Sequence, residues 1–190
     1  MKATELLKTQ HQAVRDLFER IESSKDRAQK AKLFEQLATN LVAHDAIERE
    51  IFYPACEEAM GMSDLLGEAL VEHGLVEFSL FQVDQSVQAK GDEGEELDYK
   101  GTVLKEVVEH HVKEEEGEFF PKVEKALGQQ KLEDLAEEMQ ELFEDHIQQD
   151  FRPALYANLR QVLAGAMKTN VSDEDLAAEV AARKGSRRVG

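Results

Sequence analysis

Apolar residues return at three- and four-residue intervals through nearly the whole chain, the spacing of a helix with one buried face, and strand-like alternation is missing. The pattern breaks where glycine, serine and charge collect. It predicts a first helix over about residues 3–22, ended by the polar SSKDR, and a second over about 29–59, stopped near the glycine of AMGMS. A third runs from about residue 63 to the loop KGDEGEE at 90–96, and a fourth continues to about Leu127 with Gly128 as its stop. KLEDLAEEMQELFEDHI predicts a fifth helix and PALYANLRQVLAGAMK a sixth, with Pro153 interrupting or restarting the chain between them. Long amphipathic helices on short loops predict an all-α fold: an antiparallel up-down four-helix bundle over 1–128, with additional C-terminal helices packed on it over 129–168. The remaining 169–190 holds a short capped stretch, SDEDLAAEVAAR, and a basic end, KGSRRVG, and is expected to be a mobile tail.

Polar residues intrude on these apolar faces. Winding the fourth helix at ~100° per residue from His111 puts Leu104 at about 20°, Val108 at about 60° and Glu115 at about 40°, on one stripe. His110 and Glu114 fall at about −100° and −60°, at or beyond its edge, and Glu116 with much of the acid block faces outward or flanks it. In the second helix His44 and Glu48 share a stripe with Leu37, Leu41 and Phe52; in the third His73 and Glu77 stand among Leu66, Leu70 and Leu80. His11 shares the first helix's face with Leu7, Val14 and Phe18. Each of the four helices thus points a histidine inward, and no lysine or arginine accompanies them except Arg15, one turn after His11.

Two of these elements are copies of one pattern. HDAIEREIFYP begins at His44 and HVKEEEGEFFP at His111, and each has glutamate four residues on, an aromatic pair, then proline. The helices before them match more weakly, QHQAVRDLF around His11 and EHGLVEFSLF around His73. The chain reads as a helix pair repeated, with pseudo-twofold symmetry.

An ionised carboxylate inside an apolar interior costs on the order of several kcal/mol unless it is paired or bound to a cation. Imidazoles and carboxylates on facing bundle helices can converge on one. His11, His44, Glu48, His73, Glu77, His111 and Glu115 make seven donors, more than a zinc site uses, and fit two ions better than one, with carboxylates bridging. The rival reading is a metal-free bundle, since a lone core histidine is ordinarily hydrogen-bonded and an isolated HxxxE pair is an ordinary helix contact. Four inward histidines and a duplicated eleven-residue pattern favour the metal. Spacing alone leaves iron, manganese and zinc open.

Other candidates carry less. His146 lies on a stripe with Leu135, Met139 and Phe143, and Asp150 follows four residues later; outside the four-helix unit, both read as core or supporting groups, as does His110. Cys56 reads as a structural thiol, having no neighbouring base. The 40 acidic and 23 basic side chains leave a net charge of −17, which repels phosphate backbones and anionic lipid and argues against nucleic acid or membrane as partner. One cysteine, no signal-like N-terminus and no apolar run of about 20 residues make a cytoplasmic protein the expectation.

The paired HxxxE elements, each followed by aromatics and proline, resemble the hemerythrin-like, or HHE cation-binding, family over about residues 3–127. Ferritin-like bundles fit less well, because none of the six histidines has a glutamate three residues before it. The resemblance implies a non-heme di-iron centre, oxo- or hydroxo-bridged, with His11, His44, His73 and His111 as ligands and Glu48 and Glu115 as bridges. It implies small-molecule partners such as oxygen, nitric oxide or peroxide, and a binding, sensing or iron-handling protein; an enzyme that decomposes peroxide or oxidises ferrous iron is the alternative. Oxygen-carrying members have a second histidine on the third helix where this chain has Glu77, and space the last histidine and acid five apart rather than four. A carboxylate in place of that imidazole would favour the ferric state and counts against reversible oxygen carriage.

Overall fold

The structure, a computed structural model, describes residues 1–89 and 94–167. Among these the chain forms α1 (Ala3–Ser23), α2 (Arg27–Ile47), α3 (Tyr53–Met60), α4 (Asp64–Gln88), α5 (Gly94–Glu114), α6 (Phe120–His146) and α7 (Arg152–Met167). Most of the expected KGDEGEE loop and the expected tail lie outside the described residues. Side-chain caps start two helices: Asp26 accepts from the Gln29 amide at 2.7 Å and Ser63 from the Leu66 amide at 3.2 Å.

The second and fourth predicted helices each contain one wide π-turn, Glu48–Phe52 between α2 and α3 and Glu115–Phe119 between α5 and α6. Both begin at the glutamate of the repeat and end just before its proline. Pro54 and Pro121 lack the amide hydrogen an α-helix needs at that point, and their rings crowd the carbonyl four residues back. The turn widens there: the Tyr53 amide donates to Glu48 O and the Phe120 amide to Glu115 O, five residues back. Each repeat then ends at a glycine that only glycine accommodates readily, Gly61 at φ 75° closing α3 and Gly128 at φ 73° breaking α6. The copied unit therefore runs from histidine to glycine.

Two apolar clusters fill the molecule. One joins Phe18, Leu37, Leu80, Leu104 and Val108 of the bundle to Phe151, Leu155 and Leu159 at and in α7. The other joins Leu7, Ile47, Phe52, Leu66 and Phe120 to Leu132, Leu135 and Met139 beyond the break in α6. The inward histidines and glutamates lie between them as a polar layer. α7 is anchored by Arg152, whose guanidinium meets buried Asp84 at 3.0 Å and Glu35 at 3.1 Å, and by a close approach to α4, where a Cβ on Gly74 would lie 3.1 Å from Val162. No helix among the described residues is long and apolar enough to cross a membrane.

Candidate metal centre

The four bundle helices bring their histidines together in two pairs. His11 of α1 and His44 of α2 face each other through Nε2 at 3.2 Å; His73 of α4 and His111 of α5 do so at 3.1 Å. Glu48 Oε2 lies 3.2 Å from both His44 and His73, one histidine of each pair. Glu115 Oε2 lies 3.4 Å from His11 and 3.5 Å from His111, the other histidine of each pair. All six side chains are buried, Glu48 completely. Both carboxylates therefore span the two pairs.

Every imidazole is held from behind by its Nδ1. His11 meets Glu116 at 2.9 Å, His44 meets Gln10 Oε1 at 2.8 Å, His111 meets Glu72 at 2.9 Å, and His73 meets Asp45 in a short contact. A carboxylate or carbonyl oxygen at Nδ1 takes that nitrogen's hydrogen and leaves the Nε2 lone pair of a neutral ring pointing inward. Facing lone pairs a little over 3 Å apart need a cation or a proton between them. Both oxygens of Glu48 and Oε2 of Glu115 are buried without a hydrogen-bond partner, which is the other half of the same deficit. The donor set fits a pair of cations, two nitrogens to each and two shared carboxylates. Without one, protons take the place: burial alone would lower both rings, but Glu115 and Glu116 raise His11 to about 9, and Asp45 and Glu48 raise His73 to about 10.

Tyr53 adds a donor that helical winding did not single out. Its hydroxyl lies 2.8 Å from His73 Nε2 and donates to Glu115 Oε1 at 2.9 Å, and burial, then the neighbouring Glu115 and Glu48, keep the phenol protonated far above its ordinary range. In the repeat Tyr53 matches Phe120, which stacks on His11 at 5.9 Å between ring centres, as Tyr53 packs edgewise on His73 at 5.3 Å. The two halves differ here by one oxygen.

Glu77 is not brought to either pair. Its carboxylate lies 3.3 Å from Arg49 Nη2, and the pseudo-twofold axis explains why: Glu77 matches Arg15, and Arg49 matches Glu116, which are themselves ion-paired at 3.0 Å. The two halves carry the same pair with the charges exchanged. This corrects one expectation, since Arg49 is a second cation at the layer, and it gives Glu116, expected outside or flanking the stripe, a flanking place against His11. Arg49 only partly offsets Glu77: burial and the neighbouring Asp45 raise its carboxyl to about 7. The missing imidazole remains a difference from the oxygen carriers.

His110 is largely exposed and forms a separate group with Glu72, at 3.2 Å, and Glu114, at 3.5 Å. His146 is half-buried at the end of α6, beside Thr39 and Val42, and exposed Asp150 accepts from the Arg152 amide at 3.2 Å at the start of α7; neither approaches the histidine pairs. Cys56 is buried, and burial together with Glu115 and Glu48 pushes its thiol to about 12, which makes it inert. Against the four imidazoles lies an apolar cavity lined by Val14, Leu41, Val76, Leu80, Val108 and Leu155, with Asn158 and Glu77 at its polar edge.

No curated protein matches the chain. A crystal structure of a hemerythrin HHE cation binding domain-containing protein from Mycobacterium kansasii is similar to it, with a TM-score of 0.66 and 25% identity over 82% of this chain and 97% of that one. The family signature described as the hemerythrin HHE cation binding domain matches residues 2–123, which include both histidine pairs and both shared glutamates, and the chain belongs to that family.

Proposed function

We propose that the chain is a non-heme di-iron protein that takes up iron between its two histidine pairs and reacts with, or senses, oxygen, nitric oxide or peroxide. The observation that carries this reading is the sharing of Glu48 and Glu115 between the pairs, because a carboxylate that touches a histidine of each pair can bridge two cations. His11 and His44 would hold one ion, and His73 and His111, with the Tyr53 hydroxyl beside them, the other. When bound, an iron pair supplies electrons and open coordination positions for a small molecule. Glu116, Gln10, Asp45 and Glu72 fix ring orientation, so each Nε2 stays aimed inward. The aliphatic cavity wall favours a small uncharged ligand.

One observation favours a second reading, an enzyme that decomposes peroxide or oxidises ferrous iron. Tyr53 holds a proton at the centre, within hydrogen-bond distance of both His73 and Glu115, where a turnover step could draw on it. Metal analysis and absorption spectra of protein grown with iron, then exposed anaerobically to oxygen, nitric oxide or peroxide, test both. About two irons per chain and a spectrum altered by one of these molecules are expected. Fewer than one tightly bound metal per chain rules the reading out; full occupancy by manganese or zinc rules out iron. Oxygen evolution from peroxide with repeated turnover selects the enzyme.

A further inference from the structure

The family match ends at residue 123, so α7 (Arg152–Met167) lies wholly outside it. One residue of α7 nevertheless enters the support of the metal centre. Asn158 Nδ2 donates to Asp45 Oδ2 at 3.0 Å. The other oxygen of Asp45 accepts from Arg49 Nε at 2.6 Å and holds His73 Nδ1. A continuous path of side-chain bonds thus runs from α7 through Asn158 and Asp45 to His73. Leu155, one turn earlier on α7, lies against the cavity that the four imidazoles border.

The other half of the centre is supported differently. By the repeat, His73 corresponds to His11 and Asp45 to Val112, which has no polar atom to offer. His11 is held instead by Glu116, whose second partner is Arg15 of α1, within the four-helix unit. Asn158 ties the His73 side to α7.

We propose that Asn158 is a positioning residue for the second metal position, through which the C-terminal helix sets the orientation of His73 and the strength with which the His73–His111 pair holds its ion. The inference rests on the two-ion reading above. An Asp45 that keeps both oxygens engaged is fixed in rotamer and presents one lone pair to the ring; without Asn158 it is held by Arg49 alone, on the oxygen that His73 shares, and its second oxygen no longer limits turning about the terminal torsion. Displacing α7 would loosen one ion, leave the other in place, and open the cavity on the same side.

The test uses the full-length protein in two states. In the metal-loaded form, release to a chelator in Asn158→Ala and Asn158→Asp is expected to show one metal equivalent leaving about tenfold faster than in the parent, the loss typical of a removed supporting contact, with the other unchanged. Val162→Ala, which trims the α7–α4 contact without touching Asp45, is expected to change neither. In the metal-free form, nitrogen-15 spectra of labelled histidine rings read the His73 Nδ1 hydrogen bond directly. Asn158→Ala should shift the His73 signal and leave those of His11, His44 and His111 in place. An unmoved His73 signal overturns the proposal whether or not the chain holds metal, as does equal acceleration of both ions or an equal effect of Val162→Ala. Absence of metal from the parent, with His73 still shifted in the variant, would remove the two-ion reading and leave the positioning role standing.

Discussion

At the scale of the residue, the centre depends on which carboxylates are shared and which are paired. Glu48, Glu77 and Glu115 all have buried oxygens without a hydrogen-bond partner, but only Glu48 and Glu115 lie against the histidine pairs, whereas Glu77 lies 3.3 Å from the Arg49 guanidinium. Replacing His111 or Glu115 with alanine is therefore expected to remove metal, while His110→Ala and Glu77→Gln keep the parent's metal content, as read by elemental analysis. A Glu77→Gln protein as depleted as Glu115→Ala would return Glu77 to the ligands. Tyr53→Phe leaves Glu115 Oε1 buried without its donor, a cost of about 1–3 kcal/mol to the metal-free protein that urea unfolding would register. The sequence made the six central residues legible because histidine and glutamate on an apolar stripe have few other reasons to be there. Glu77 satisfied the same criterion and ended in an ion pair. What separates them is the repeat: aligned on its histidines, it sets Glu77 against Arg15 and Arg49 against Glu116. Asp45 sits at the buried position that Val112 takes in the other repeat, and winding alone did not show that it holds the His73 ring from behind.

At the scale of the element, the bounds of the long helices follow from periodicity and punctuation, and Gly61 and Gly128 end the two repeats where glycine predicted a stop. The π-turns were not legible. Winding at a constant ~100° assumes an unbroken helix, yet each π-turn inserts extra backbone between the glutamate and the proline. Its effect is visible in the aromatic pairs: Phe52 with Tyr53, and Phe119 with Phe120, are consecutive residues that are all buried. The widened turn lets the first of each pair fill the core while the second reaches a histidine across the bundle. The terminating glycines give the element its own test. Neither would gain a clash from a Cβ, but both have a φ and ψ that side chains disfavour, so Gly61→Ala and Gly128→Ala should each lower stability by about 1–3 kcal/mol through backbone strain alone. A loss near zero in thermal unfolding would mean that the chain relaxes at that position.

For the whole molecule, two apolar clusters with a charged layer between them make folding and cation uptake interdependent. The sign of the pH dependence follows from the rings. His11 and His73 titrate in the metal-free fold at about 9 and 10, above the ordinary value of 6.5. Their protonated forms therefore stabilise the metal-free protein fully below about pH 6.5, and that contribution is lost as pH rises through 9 to 10. Cations need the same nitrogens, so uptake at pH 7 must release protons and must strengthen as pH rises. Titrating the metal-free protein with ferrous or zinc ion in weakly buffered solution, with an indicator dye, measures the release directly. No proton release at pH 7 would mean that the rings are already neutral.

The path of the shared glutamates has a further consequence. His11, His44 and Glu48 all come from the first helix pair, and His73, His111 and Glu115 all from the second, yet each glutamate reaches across to a histidine of the opposite pair. Each acid is divided equally between its own half and the other. The molecule is built like a homodimer within a single chain, and its halves are not identical: one has a tyrosine where the other has phenylalanine, the Arg–Glu pair runs in opposite senses, and Asn158 of α7 bonds to the His73 side.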